Sequence, residues 1–190
     1  MALYDLGNPA VPLPQQLVVD SSLLLALRPA DDNLHAAATQ TFIRRIEEQI
    51  AAYEMVAWLP LPVLQECYHI ILANGLRRVW ETMDSTTRPP NWLKAYKDQL
   101  DLLRACTPEL TRFRELLAAI PLTPVRPEDL VTSAVVKPLD ERMRHFIITY
   151  HLLPQDALIL AHAERLGVLA VATLDQDWRR ATLFDVYTCL

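Results

Sequence analysis

Four carboxylates in this chain stand where chemistry could be done. Asp20, Glu66, Asp156 and Asp175 each fall at or just beyond an apolar segment of strand or strand-plus-turn character. Asp20 closes Leu17-Val18-Val19, and Glu66 follows Met55-Val56-Ala57-Trp58-Leu59 by one helical approach. Asp175 follows Val168-Leu169-Ala170-Val171-Ala172-Thr173, and Asp156 opens the helix that feeds that run. In a parallel α/β sheet the carboxyl ends of the strands converge on one crevice, where such sheets bind ligands. Carboxylates gathered there repel one another unless a cation intervenes, and a hard divalent ion with oxygen ligands is the simplest one. The pattern points to a metal-dependent enzyme.

Taken singly, each acid has a plainer reading. Asp20 precedes Ser21-Ser22-Leu23-Leu24 and serves equally well as a helix cap. Asp156 at a helix N-terminus is favoured by the helix dipole, and Glu66 alone reads as a solvated helix residue. Asp175 lies in Thr173-Leu174-Asp175-Gln176-Asp177-Trp178, which carries two acids where one cap would suffice. The joint pattern is more specific than any member.

Other chemistries find little support. With three glycines in 190 residues, no Gly-rich phosphate loop can be built. No His-x-x-x-His or Cys-x-x-Cys suggests zinc, and no Gly-x-Ser-x-Gly suggests an acyl hydrolase. Glu66-Cys67-Tyr68-His69 has the Glu-x-x-His spacing of di-iron bundles, but without the second copy such sites need, so His69 reads as structural. Asp20 is followed by Ser21-Ser22 rather than by an acid two positions on, which disfavours a phosphotransfer nucleophile. The net charge of −5 argues against a nucleic-acid coat protein but leaves a nuclease open. Trp58, Trp80, Trp92 and Trp178 read as core more than as base-stacking surfaces.

The elements that must position these acids follow from pattern. The length and 52% hydrophobic content suit one domain with its own core. Strands are expected at Gln16–Val19, Met55–Leu59, Val168–Thr173 and 186–190, with a further short one at Leu122–Val125. A turn and helix start are expected over 29–33, and helices over 34–53, 62–80, 92–120 with a break near Thr107-Pro108, 139–151 and 154–166, the last ended by Gly167. Strands alternating with helices imply an α/β sandwich around a mostly parallel sheet. No window reaches the about 18 apolar residues of a membrane span, no secretory signal is read at the N-terminus, and three scattered cysteines suggest no disulfide framework. A cytoplasmic, reduced protein is expected.

Four blocks together resemble the PIN-domain family, most of all its VapC-type toxin ribonucleases. They are Leu17-Val18-Val19-Asp20-Ser21-Ser22, Pro62-Val63-Leu64-Gln65-Glu66, Leu153-Pro154-Gln155-Asp156-Ala157-Leu158-Ile159-Leu160-Ala161-His162-Ala163, and Ala172-Thr173-Leu174-Asp175-Gln176-Asp177-Trp178. The resemblance implies a single PIN-like domain over 1–190 with a three-layer α/β/α sandwich. Residues 1–15 would form an extended lead-in, and 85–125 a helical insertion with its helices around 90–120. It implies that Asp20, Glu66, Asp156 and Asp175 form the catalytic metal site for Mg²⁺ or Mn²⁺, with Asp177 as an outer or occasional metal ligand. Ser22 and Thr173 would be hydroxyls that hold the carboxylates in place. It implies an endoribonuclease acting on RNA, a small antitoxin partner and a homodimer. The alternative is a catalytically silent PIN-like module that binds RNA or protein.

Overall fold

The computed structural model describes residues 2–28, 35–99, 101–130 and 137–189. Six strands form one sheet: β1 (Leu3–Asp5), β2 (Gln16–Val19), β3 (Val56–Leu59), β4 (Thr123–Pro124), β5 (Ala170–Ala172) and β6 (Asp185–Thr188). Their order is β1-β6-β5-β2-β3-β4, and every neighbouring pair is parallel. Eight α-helices occur among the described residues: α1 (Ser21–Ala26), α2 (Ala36–Ala51), α3 (Leu61–Thr82), α4 (Trp92–Asp98), α5 (Leu102–Ala105), α6 (Thr107–Ala119), α7 (Leu139–Tyr150) and α8 (Pro154–Arg165). The chain has the α/β/α sandwich architecture, with the sheet as its middle layer.

The central strands are short and apolar on both faces. Leu17, Val18 and Val19 of β2 are fully buried, as are Ala57 of β3 and Val171 and Ala172 of β5. Such continuous apolar runs are what a parallel sheet covered on both sides demands. Crossovers leaving β2 run toward β3, whereas β5 leads toward β6, on the opposite side of β2. The connection therefore changes direction between the adjacent strands β2 and β5. A crevice opens beyond the carboxyl ends of two such strands, and Asp20 and Thr173 are the residues that leave them.

The chain divides into two compact units, one of residues 1–64 with 120–190 and one of Gln65–Ala119. The first holds the whole sheet and its core, including Phe42, Phe146, Trp178 and Phe184. Trp178 is fully buried, as a core reading of that residue requires. The second unit is helical. Ile71, Phe113 and Cys106 are buried in it, and Tyr68 meets Phe113 edge-on at 5.6 Å between centroids.

Several boundaries differ from those read in the sequence. Part of the expected lead-in is the edge strand β1, whose Leu3, Tyr4 and Asp5 pair with β6, with Tyr4 stacked on Tyr187 at 4.6 Å. The last strand begins at Asp185 rather than 186. The helical stretch over 92–120 is broken between Asp98 and Leu102 as well as before Thr107. Gly167 ends α8 at a φ of 72°, a conformation that costs glycine little. The turn expected over 29–33 lies outside the described residues.

One glycine makes a sharp packing prediction. A Cβ on Gly75, in the interior of α3, would lie 2.7 Å from the buried Cys106 Sγ. Alanine normally gains up to about 1 kcal/mol over glycine in a helix interior. Here the overlap outweighs that gain, and Gly75→Ala is expected to destabilise the protein by about 1–3 kcal/mol in denaturant unfolding. In a Cys106→Ala background the same change should lose its cost and turn stabilising.

Candidate metal centre

Asp20 follows the buried end of β2 and is only 2% exposed. It caps α1, with Oδ2 accepting the Ser22 amide at 3.3 Å, so the capping role and the site position coincide. Its own amide donates to the Ala172 carbonyl at 2.9 Å, which locks it to β5. Two hydroxyls converge on Oδ2: Ser22 Oγ donates at 2.6 Å and Thr173 Oγ1 at 2.8 Å. Ser21 Oγ donates to Oδ1 at 3.3 Å.

A proton inventory shows how these hydroxyls are held. Each carries one hydrogen, and both hydrogens are spent on Asp20. Their lone pairs are taken by backbone amides, Leu174 N donating to Ser22 Oγ at 2.9 Å and Asp175 N to Thr173 Oγ1 at 3.0 Å. The loop after β5 thus fixes both hydroxyl rotors, and they fix the carboxylate. Burial pushes the Asp20 carboxyl above its ordinary pKa, and the donors on Ser22, Thr173 and the Ser21 and Ser22 backbone offset only part of the shift.

Asp156 lies in the first turn of α8, after Pro154 has set the start of the helix, and is 8% exposed. The neighbouring Gln155 Nε2 donates to the Pro62 carbonyl at 2.7 Å, which ties the start of α8 to the first turn of α3. Glu66 is four residues beyond Pro62 on that continuous helix, on the same face, and is half-buried. Asp20, Glu66 and Asp156 each offer a carboxylate oxygen, and the three oxygens lie within 4.8 Å of one another.

Asp175 and Asp177 do not join this group of three. Asp175 Oδ1 accepts the Asp177 amide at 2.8 Å and so caps the short turn Gln176–Arg180. Asp177 is exposed and ion-paired to Arg180 at 2.8 Å. His69, one turn beyond Glu66, is exposed rather than buried as a structural histidine would be. That exposure follows from its helix phase relative to the buried Cys67 and Ile71.

The donor set suits a hard divalent cation, since it consists of carboxylate oxygens with no thiolate or imidazole. Metal–oxygen bonds of about 2.0–2.1 Å place two ligand oxygens at most about 4 Å apart, which small side-chain adjustments here would reach. A PIN domain family match covers residues 17–182, most of the chain, and the protein belongs to the PIN-domain family. Members of this family are generally metal-dependent nucleases. No curated protein sequence matched the chain.

Proposed function

We propose that this protein is an endoribonuclease that uses Mg²⁺ or Mn²⁺ to hydrolyse RNA phosphodiester bonds. The observation that supports it most is the convergence of Asp20, Glu66 and Asp156 within 4.8 Å in a chain of the PIN family. In this reading the three carboxylates hold the ion, and Ser22 and Thr173 keep Asp20 aimed at it. Asp175 and Asp177 add negative charge on the loop after β5 but stand outside the group of three. The bound ion supplies an activated water and neutralises charge on the phosphodiester. No protein nucleophile is required. Asp156 and Glu66 reach the site from two different helices, α8 and α3.

The resemblance to VapC-type toxins extends the proposal to a toxin that acts as a homodimer and is neutralised by a small antitoxin. Growth arrest on expression of the wild-type chain, relieved by Asp156→Asn, is the expected sign of that role. Growth unaffected by an active nuclease would remove it.

The direct test is cleavage of labelled single-stranded and structured RNAs with Mn²⁺, Mg²⁺ or EDTA, comparing wild type with Asp156→Asn. Cleavage that needs both the metal and Asp156 is expected. Cleavage that persists in EDTA would overturn the metal-dependent reading.

A further inference from the structure

Beyond Glu66, helix α3 carries a second feature. His69, Leu72 and Leu76 of α3, with Trp92 and Tyr96 of α4 and Leu103 of α5, line a pocket of about 210 Å³ within the unit Gln65–Ala119. His69 is exposed, and Trp92 and Tyr96 are half-buried. Their polar groups have no hydrogen-bond partner among the described residues. The pocket is thus a concave apolar surface lined by three rings whose N–H and O–H groups are open to a ligand.

Its place on the helix matters. His69 is three residues from Glu66, about 4.5 Å along the axis, and residues three or four apart share a face. Ala73 and Leu76 continue the same stripe. The pocket therefore begins one turn from a carboxylate of the acidic group.

Charge favours an anionic ligand on this unit. Gln65–Ala119 holds eight of the 18 Lys and Arg but seven of the 23 Asp and Glu, a net of +1 in a chain of −5. Three of the eight are ion-paired: Arg78 with Glu109 at 2.8 Å, Lys94 with Asp98 at 3.1 Å and Arg104 with Asp101 at 3.4 Å. Arg77 and Lys97, which follow the lining residues Leu76 and Tyr96, are exposed and without an acidic partner among the described residues. Neither cation lines the pocket, but both are on the helices that carry its rings, and single-strand binding surfaces combine positive charge with stacking rings.

We propose that this pocket takes one unpaired nucleobase of single-stranded RNA, next to the phosphodiester held at the acidic site; this rests on the ribonuclease reading above. The volume is below the roughly 300–1,000 Å³ of pockets for drug-sized ligands, so it suits one base rather than a longer ligand. Base edges would meet His69, Trp92 Nε1 and Tyr96 Oη, while Arg77 and Lys97 receive flanking phosphates.

The test uses the full-length Asp156→Asn protein, so that RNA is bound without being cut. Short single-stranded RNAs carrying 2-aminopurine at successive positions are titrated in. Fluorescence quenching at one position is expected, with binding about tenfold weaker in Trp92→Ala and Tyr96→Ala and largely kept in Trp92→Phe, as loss of one base stack predicts. With Asp156 restored, the alanine variants should raise KM more than they lower kcat. If the alanine variants fail to fold, quenching of Trp92 emission by RNA, measured against Trp92→Phe, reads the same contact. Folded alanine variants that bind and cleave like their parents would overturn the pocket while leaving the ribonuclease standing. A wild-type protein that cleaves no RNA, in a chain whose Asp156→Asn form binds RNA through Trp92, would sink the ribonuclease and keep the base site.

Discussion

Asp20→Asn is expected to abolish RNA cleavage and at the same time raise the thermal stability of the metal-free protein. The two effects have one cause. Asparagine keeps what the fold needs from this position: its side-chain oxygen can accept the Ser22 and Thr173 hydroxyls, and it is as good an N-cap as aspartate. It removes the charge and replaces Oδ1, the acceptor of the long 3.3 Å bond from Ser21 Oγ, with an amide donor. A carboxyl whose pKa is raised in the folded state binds its proton more tightly there. Its contribution therefore favours the fold below the unfolded value and is lost as pH rises through the folded one. Burial raises Asp20 in this way, so the metal-free fold is less stable at neutral pH than one with no charge to desolvate at this position. The proximity of Glu66 and Asp156 adds like-charge repulsion in the same direction.

The variant should accordingly gain a few degrees in Tm at pH 7, the shift that about 1 kcal/mol produces in a chain of this size. The gain should shrink as the pH falls to the ordinary aspartate range. Added Mn²⁺ or Mg²⁺ should stabilise wild type by mass action and leave the variant unchanged. Cleavage should drop by on the order of 10³-fold, the upper range for removing one preorganised electrostatic group. A variant that melts lower than wild type at pH 7 without metal would show that Asp20 is not held in a strained acidic pocket.

The placement of this residue was legible in the sequence because an apolar run that must be buried on both faces has to end at the sheet edge. The same logic located Thr173 at the end of β5 and Asp156 behind Pro154. The edge strand β1 was harder to read, with only Leu3, Tyr4 and Asp5, whereas β4, Thr123-Pro124, lies inside the short strand expected at Leu122–Val125 and has a proline that suits an edge. The end of α4 at Asp98 has no proline or glycine to mark it. For Asp175 the spacing gave the right loop, but the direction of its side chain depends on a competing partner, the Asp177 amide. The ring pocket on α3 and α4 joins residues that no single periodicity connects. The resemblance led to the expectation that Ser22 and Thr173 hold a carboxylate, but their alignment on one oxygen of Asp20 is not legible in the pattern, because it depends on which amides of the 173–175 loop point inward.

That alignment leads to the second large effect, the loss of metal affinity in Thr173→Val. Valine has nearly the shape of threonine but cannot donate to Asp20 Oδ2 or accept the Asp175 amide. Two consequences follow. The Asp175 amide is left without its acceptor, and because it is only partly buried the cost falls below the about 1–3 kcal/mol of a fully buried donor. Asp20 also loses one of the two hydroxyls that fix its rotamer, and groups that orient a metal ligand in this way are typically worth 10–100-fold in affinity or activity. Thr173→Val should therefore shift the metal concentration for half-maximal cleavage upward by about that factor, while saturating Mn²⁺ restores most of the rate. Thr173→Ser, which returns the hydroxyl, should recover both stability and metal affinity. Rescue by metal separates this positioning role from that of Asp20, whose asparagine variant no ion concentration should restore. If Thr173→Val instead lost activity that saturating metal could not recover, Thr173 would have to act on the substrate itself rather than through Asp20.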